Sequence, residues 1–418
     1  MFRFIHAADI HLDSPLRGLE QYEGAPVDEI RSATRRALER LVQLAIEEQV
    51  AFVLIAGDLY DGDWTDYNTG LFFNSQMTRL KEAEIPVFLI SGNHDAANRM
   101  TRSLKLPDNV VMFPHDAPAT EVLEEFGVAI HGQSFATQAV TEDLSQSYPP
   151  ARSGLVNIGV LHTSATGREG HENYAPCTVE GLKTRGYDYW ALGHVHTREE
   201  LNESPHVIFP GNIQGRHIRE TGPKGCYLCT VENDRTIVPE FRTLDVFRWE
   251  LANVDLGGVD SADDLPGVVA ESLRACREAA DGLPLAVRVE LTGETAVHDE
   301  LLGERERWTN EIRSIALDAG SGAIWVEKVR IRTSPVRVET PVEPAGDDPM
   351  GELAEILEGL RTGPAAFETY DIDFRKLPSK LPTDLRELLA VNDPDWCRSI
   401  VDEAESLLHH TLRGKAAK

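Results

Sequence analysis

The chain has 418 residues, with 41 basic against 69 acidic side chains and a formal net charge of -28. It holds no apolar stretch of about twenty residues, which excludes a membrane-spanning helix, and no internal repeat or low-complexity tract. Its five cysteines, Cys177, Cys226, Cys229, Cys276 and Cys397, are scattered and odd in number, and no leader-like stretch precedes the first apolar run, so the expected setting is the reducing cytoplasm.

Residues 2–8 form a short run rich in apolar and β-branched side chains, which predicts a strand, and the run closes on Asp9-x-His11. Residues 29–49 place Ile30, Ala37, Leu38, Leu41, Val42 and Ala45 at helical spacing. Residues 51–56 predict a second strand, closing on Gly57-Asp58, and residues 66–84 a weaker amphipathic helix. A third strand over 86–91 closes on Gly92-Asn93-His94-Asp95. Two more, over 155–161 and 187–192, run into His162 and into Gly193-His194-x-His196. Strand alternating with helix predicts an α/β chain with a largely parallel sheet covered by helices. Every polar cluster falls where a strand ends, the edge at which such sheets carry their sites.

Arg216, His217 and Arg219 follow Gly211-Asn212 on a loop close behind the last cluster. Two readings stand for them: contact with a substrate phosphate, which a guanidinium matches bidentately, or an ion pair with a neighbour such as Glu220. Arg99, Arg102 and Lys105 form a second basic group that either lines the substrate approach or is a solvated face. Cys226-x-x-Cys229 lies in an extended segment, where residues three apart point to opposite faces, so it is not expected to bind metal. His6 and His131 are expected to be core or ligand-supporting histidines, and Asp95 and Asp61 are each left either orienting His94 or capping a segment.

Past residue 244 the pattern changes. Strands over 247–254, 285–291 and 324–331 alternate with helices over 265–280 and 304–316, an α+β module. Residues 334–349 are rich in proline, valine and acidic side chains and read as a linker. A helix begins at Asp348-Pro349 and runs through Arg361, and Asp393-Pro394 caps another that runs to about residue 413 with Trp396, Ile400, Ala404, Leu407 and Leu408 on one face, a stripe that docks either on its own chain or on a partner. The domain reading is therefore 1–243 catalytic, 244–333 α+β, 334–349 linker and 350–418 helical.

Asp9, His11, Asp58, Asn93, His162, His194 and His196 make a mixed nitrogen and oxygen ligand set sufficient for two divalent ions if one carboxylate bridges them, and Asp58 is the candidate bridge. Two such ions activate a water and hold the attacking and leaving oxygens of a displacement at phosphorus. His94, left outside the ligand set, is placed to protonate the leaving oxygen or stabilise charge on the phosphate. Histidine and carboxylate ligands suit manganese, iron or zinc; manganese is the expectation.

These clusters resemble, residue by residue, the five blocks of the calcineurin-like metallophosphoesterases. Asp9-x-His11-Leu12 and Gly57-Asp58-Leu59-Tyr60-Asp61 resemble the DNA repair nuclease branch of SbcD- and YhaO-like proteins, and the stretch from Phe209 to Glu220 followed by Lys224-Gly-Cys-Tyr-Leu is nearer the YhaO type. Ala8 stands where the family has serine, a departure that touches no ligand. The resemblance covers about residues 1–243 well and the rest poorly. It implies a β-sandwich flanked by helices (αββα), with an α+β cap and C-terminal helices. It implies one ion on Asp9, His11, Asp58 and His196, a second on Asp58, Asn93, His162 and His194, and His94 as the catalytic histidine. DNA, a coiled-coil ATPase of the SbcC or YhaN type docked through the C-terminal helices, and a second copy of the chain are the implied partners.

The leading expectation is thus a metal-dependent DNA phosphodiesterase, a 3′ to 5′ exonuclease with endonuclease activity on single strands or hairpins. A phosphatase or cyclic-nucleotide phosphodiesterase on small substrates is the alternative, and a catalytically silent scaffold for an ATPase the third reading. About half of the acidic excess lies beyond Leu244, so weak and salt-sensitive DNA binding is expected of the isolated chain. The chain carries no Gly-x-x-x-x-Gly-Lys-Ser/Thr loop, so ATP hydrolysis by such a complex belongs to the partner.

Overall fold

Alternate residues of the first strand serve two different cores, and the N-terminal part of the chain is organised around that split. In the computed structural model, which describes residues 1–14, 32–61, 67–97, 105–165, 174–336 and 349–361 together with Val401 and Ala404, β1 (Phe2–Ala7) turns Ile5 and Ala7 toward helices and Phe4 toward a second sheet. The same alternation recurs in β2 (Phe52–Ala56) and β3 (Val87–Ile90). It explains why these runs are apolar throughout: both faces are covered.

The first sheet has the order β12-β11-β1-β2-β3-β4. Strands β1, β2, β3 and β4 (Val110–Met112) are parallel, and β11 (Gly225–Val231) pairs antiparallel to β1 and to β12 (Ile237–Thr243). Helices α1 (Ala33–Glu47) and α2 (Tyr67–Glu82) cover its outer face with Leu38, Leu41, Val42, Phe73, Met77 and Leu80. The second sheet has the order β5-β6-β7-β8-β10-β9. Strands β6 (Val128–Gly132), β7 (Val156–His162), β8 (Tyr189–Gly193) and β10 (His206–Phe209) run parallel, with β5 (Ala119–Leu123) and β9 (Glu199–Glu203) antiparallel at the edges.

Between the sheets lies a dry layer of Phe4, Phe52, Leu54, Phe88, Ile130, Ile158, Val160, Tyr189 and Ile208. The chain is therefore a helix-flanked sandwich of two mixed sheets. Strand–helix alternation alone predicts one parallel sheet; the second sheet arises because β5 to β10 pair with one another rather than adding to the edge of the first. The short helix α3 (Asn93–Ala97) follows β3, and α4 (Val179–Lys183) precedes β8.

Downstream, β13 (Arg248–Asp255), β14 (Leu285–Thr295) and β15 (Ile324–Pro335) form a three-stranded sheet in that order, accompanied by α5 (Leu265–Ala279), α6 (His298–Gly303) and α7 (Arg305–Ala319). Helix α6 lacks the apolar periodicity that announces a helix in the sequence. The predicted helix from Pro349 is present as α8 (Pro349–Arg361). The chain divides into two compact units, one of Met1–Ala252, Leu273–Arg288 and Ala319–Glu327, the other of Asn253–Ser272, Val289–Asp318 and Lys328–Lys418. Within the first, Phe247, Trp249, Ala286 and Trp325 pack with Ala33 and Ile218. The residues expected to form the last helix, Trp396, Ile400, Leu407 and Leu408 among them, lie outside the described residues, as do Arg99, Arg102 and Cys397.

Candidate active site

Five strands of the two sheets deliver their C-terminal ends to one place. Asp9 and His11 follow β1, Asp58 follows β2, Asn93 and His94 open α3 directly after β3, His162 ends β7, and His194 and His196 follow β8. The loops after β1 and β2 run side by side: the amides of Asp9, His11 and Leu12 donate to the carbonyls of Gly57, Asp58 and Leu59 at 3.0, 3.0 and 2.9 Å. Asp9, His11, Asp58 and His194 all adopt positive φ, at 51°, 45°, 51° and 105°. Four non-glycine residues in that region, all in candidate ligand blocks, mark a site where backbone strain is held in place by its surroundings. Gly193 lets the two sheets touch here, since a Cβ on it would enter the Ala56 carbonyl.

The side chains converge in three overlapping groups: Asp9, His11 and His196; His11, Asp58 and His94; Asp58, His162 and His194. Asp58 Oδ2 lies 3.9 Å from His11 Nε2 and 3.5 Å from His162 Nε2, so one carboxylate oxygen faces an imidazole from each half of the site. Asn93 Oδ1 sits 3.0 Å from His162 Nε2 and 3.1 Å from His194 Nδ1. On the other side His11 Nε2 and His196 Nε2 face each other at 3.1 Å.

The surrounding hydrogen bonds decide which ring nitrogens are available. His162 Nδ1 lies 2.9 Å from the Ala56 carbonyl, which only accepts, so that nitrogen carries a proton and Nε2 is the ring atom turned to Asn93 and Asp58. His196 Nδ1 lies 2.7 Å from Glu220 Oε1, which leaves its Nε2 lone pair facing His11. With their Nδ1 atoms taken up by acceptors, His162 and His196 both turn Nε2 into the cluster, the atom a cation would take.

The carboxylates agree. Asp9 and Asp58 are both fully buried. Burial pushes the Asp9 carboxyl up to about 8, with neighbouring His162 acting against the shift. Burial acts on Asp58 in the same sense, but the charge and hydrogen bond of His162 outweigh it and hold Asp58 at about 2. His162 is raised to about 9, the charge of Asp58 overcoming its burial. Ionising both acids in this volume requires positive charge beyond a single imidazolium, and divalent cations supply it. The donor set therefore fits divalent metal ions.

Two carboxylates outside the ligand groups hold histidines. Asp61 Oδ1 accepts from His94 Nδ1 at 3.0 Å, and Asp61 Oδ2 accepts from Ser14 Oγ at 2.6 Å. Burial works against protonation of His94, yet its bond to Asp61 and the charges of Asp58 and Asp61 raise its pKa above the usual histidine value. The sequence leaves Asp61 and Asp95 equal; the structure separates them. Asp95 accepts instead from the amides of Leu59, Tyr60 and Gly92 at 3.1, 3.0 and 3.0 Å and so stitches the β2 loop to the β3 loop. The second carboxylate, Glu220, holds His196 and also accepts from Asn212 Nδ2 at 2.9 Å and the Arg216 amide at 2.7 Å. Sequence reasoning offers Glu220 only as an ion-pair neighbour, since no motif links it to a histidine 24 residues away.

Arg216, His217 and Arg219 divide. The Arg216 guanidinium is mostly buried and bonded to Glu220, the ion-pair reading. His217 Nε2 lies 3.5 Å from Glu220 Oε1, and Arg219 is exposed. Lys105 is exposed as well, its carbonyl accepting from Asn74. His6 and His131 are core residues: His6 spans Tyr189 Oη and the Leu192 carbonyl, and His131 spans Thr120 and Asn157. Cys226 and Cys229 are buried in different cores on opposite faces of β11.

Comparison with known proteins meets this geometry. Residues 2–198 match the family described as calcineurin-like phosphoesterase, and residues 249–334 match the middle domain of metallophosphoesterase YhaO. Over 294 residues the chain is 37% identical to the uncharacterized metallophosphoesterase YhaO of Bacillus subtilis, an alignment covering 69% of this chain and 71% of that one. The chain belongs to the calcineurin-like metallophosphoesterases, in the YhaO family. This family membership makes it a phosphoester hydrolase by class and accounts for the histidine and aspartate clusters as a divalent-metal site. The SbcD component of the SbcCD nuclease of Staphylococcus epidermidis is 25% identical over 273 residues, 59% of this chain and 70% of its own. A solved dimetal phosphatase from Danio rerio aligns with 58% of this chain and 96% of its own at 13% identity, with a TM-score of 0.35.

Proposed function

We propose that this metallophosphoesterase is a two-metal DNA phosphodiesterase that degrades strands from the 3′ end, also cuts single strands and hairpins internally, and works beside a coiled-coil ATPase in DNA repair. The observation that carries the two-metal part is the position of Asp58 Oδ2 between His11 and His162, with the remaining candidate ligands falling to either side. Asp9, His11, Asp58 and His196 would hold one ion, and Asp58, Asn93, His162 and His194 the other. When bound, the ions, manganese in this reading, activate a water and neutralise charge on the phosphate.

The chain's own residues do the rest. His94 is a third exposed at the rim of the ligand cluster, with Nδ1 tied to Asp61, so Nε2 is the atom that carries a proton to the departing ester oxygen. Asp61 fixes the ring's tautomer and stabilises its charged form, which suits a general acid near neutral pH. Asp9 accepts the His194 amide on both oxygens, at 3.1 and 3.0 Å, and thereby ties the β1 loop to the β8 loop across the two sheets.

The preference for DNA rests on similarity to a nuclease component and on the Gly57-Asp58-Leu59-Tyr60-Asp61 block. The test is incubation of the purified chain and manganese with end-labelled duplex and single-stranded DNA, beside His94→Ala. Product ladders from the wild type, suppressed about a hundredfold or more by the substitution, are the expected result. Phosphate release from a monoester with DNA intact would overturn the DNA reading in favour of a phosphatase; no turnover of either substrate would favour an ATPase scaffold.

A further inference from the structure

The guanidinium of Arg216 lies between the two carboxylates that hold histidines. Nη2 is 3.1 Å from Glu220 Oε1 and 3.2 Å from His196 Nδ1, while Nη1 is 3.5 Å from Asp61 Oδ2 and donates to Ser14 Oγ at 3.4 Å. Asp61 in turn holds His94, and Glu220 holds His196. One planar cation thus links the supports of the proton-donating ring and of a candidate ligand, groups that approach the centre from the β3 end and the β8 end.

We infer that Arg216 is a positioning residue: it clamps Asp61 and Glu220 so that His94 and His196 keep their orientation toward the reacting phosphate. This inference rests on the phosphoesterase reading given above. The alternative role for an arginine beside such a centre is to grip the substrate phosphate. Burial argues against it, because the side chain is only 11% exposed and its two terminal nitrogens already face the acceptor oxygens of Asp61, Ser14 and Glu220. A guanidinium reaches two separate carboxylates with a fixed angle between its donors; a lysine ammonium, a point charge on a flexible stem, cannot hold both in the same way. The loop that carries Arg216 is itself anchored, since Glu220 accepts the Arg216 amide and Gln214 bonds the Phe247 carbonyl at 2.6 Å.

The full chain is assayed with manganese on bis-(p-nitrophenyl) phosphate, a small diester that reports the centre whether or not DNA is the substrate, and manganese binding is titrated calorimetrically without substrate. For Arg216→Met we expect kcat to fall about tenfold or more with KM within about twofold of wild type, and affinity at one manganese site to fall about 10- to 100-fold. Arg216→Lys should recover part of each loss. In an Asp61→Asn background the further loss of kcat from Arg216→Met should shrink to less than about threefold, because the arginine acts through that carboxylate.

A rise in KM at unchanged kcat would show Arg216 to be a substrate ligand and overturn the inference, as would full additivity with Asp61→Asn or unchanged manganese affinity. If Arg216→Met does not fold, Arg216→Lys decides by the same two measurements. Turnover of the small diester without DNA cleavage would defeat the DNA reading and leave this test standing. Should the wild type turn over neither, the phosphoesterase reading fails, and the manganese titration still decides whether Arg216 supports His196.

Discussion

At the scale of single residues, Asp58 and His94 sit side by side yet are asked to do different work. Asp58 faces both halves of the ligand cluster and accepts the His94 amide at 3.0 Å, whereas the His94 ring is held from outside by Asp61. Asp58→Asn removes the charge that both ions would share, so elemental analysis of the purified variant should find both manganese positions lost. His94→Ala leaves the seven proposed ligands in place and should keep two ions while losing turnover. Equal metal loss in the two variants would mean that the roles are misassigned. That these side chains meet at one site was legible in the sequence, because each block ends a strand and carries a chemically specific side chain. The supports were not. Asp61 and Asp95 both flank the right blocks, and only the path of the chain shows that one reaches His94 while the other binds three backbone amides.

At the scale of elements, one contact that ties the first sheet to the second near the site is His6. It projects from β1 to Tyr189 Oη, 3.0 Å from Nδ1, and to the Leu192 carbonyl, 3.1 Å from Nε2, both belonging to β8. The carbonyl only accepts, so Nε2 carries the proton and Nδ1 accepts from the tyrosine: the neutral ring fits both partners. Burial lowers its pKa to about 3, against an ordinary value of 6.5, with the Leu192 bond opposing the shift. The sign follows from proton counts. Below pH 6.5 the unfolded chain takes up a proton that the folded chain refuses until about pH 3, so stability is fully present above pH 6.5 and declines as pH falls through that window. His6→Gln should flatten the decline between about pH 6.5 and pH 5 by at most one proton, about 1.4 kcal/mol per pH unit. Urea unfolding at several pH values measures it, and an unchanged slope would show that His6 does not contribute. The strands that carry the site, β1, β2, β3, β7 and β8, were readable from their apolar runs, whereas β4, β5, β6, β9, β10 and β12 were not. Their sorting into two sheets was not, since an all-buried run records that both faces are covered and says nothing of which sheet covers them.

At the scale of the whole molecule, the net charge of -28 works against any polyanion, and about half of the acidic excess lies beyond Leu244. In the proposed role the isolated chain has to hold DNA through few contacts, with a partner supplying the remainder. Fluorescence anisotropy of labelled DNA with the His94→Ala variant should therefore show weak binding that falls at least about tenfold between about 50 and 200 mM salt. A tight complex surviving high salt would remove the need for a partner. None of the helices in the described residues is long and apolar enough to cross a membrane.

Sequence by itself marked out the residues of the site: seven side chains bearing nitrogen or oxygen donors and one further histidine, each placed at the end of an apolar run, suit divalent cations because metal ligation depends first on donor type. It determined the strands that carry the site for a similar local reason, since burial on both faces is written into consecutive side chains. Tertiary structure alone decided which carboxylate serves which ring. Glu220 meets His196, Asp61 meets His94 and Arg216 lies between them. These contacts form only when loops from two sheets are brought to one edge, and no periodicity or spacing along the chain encodes a distance between residues so far apart.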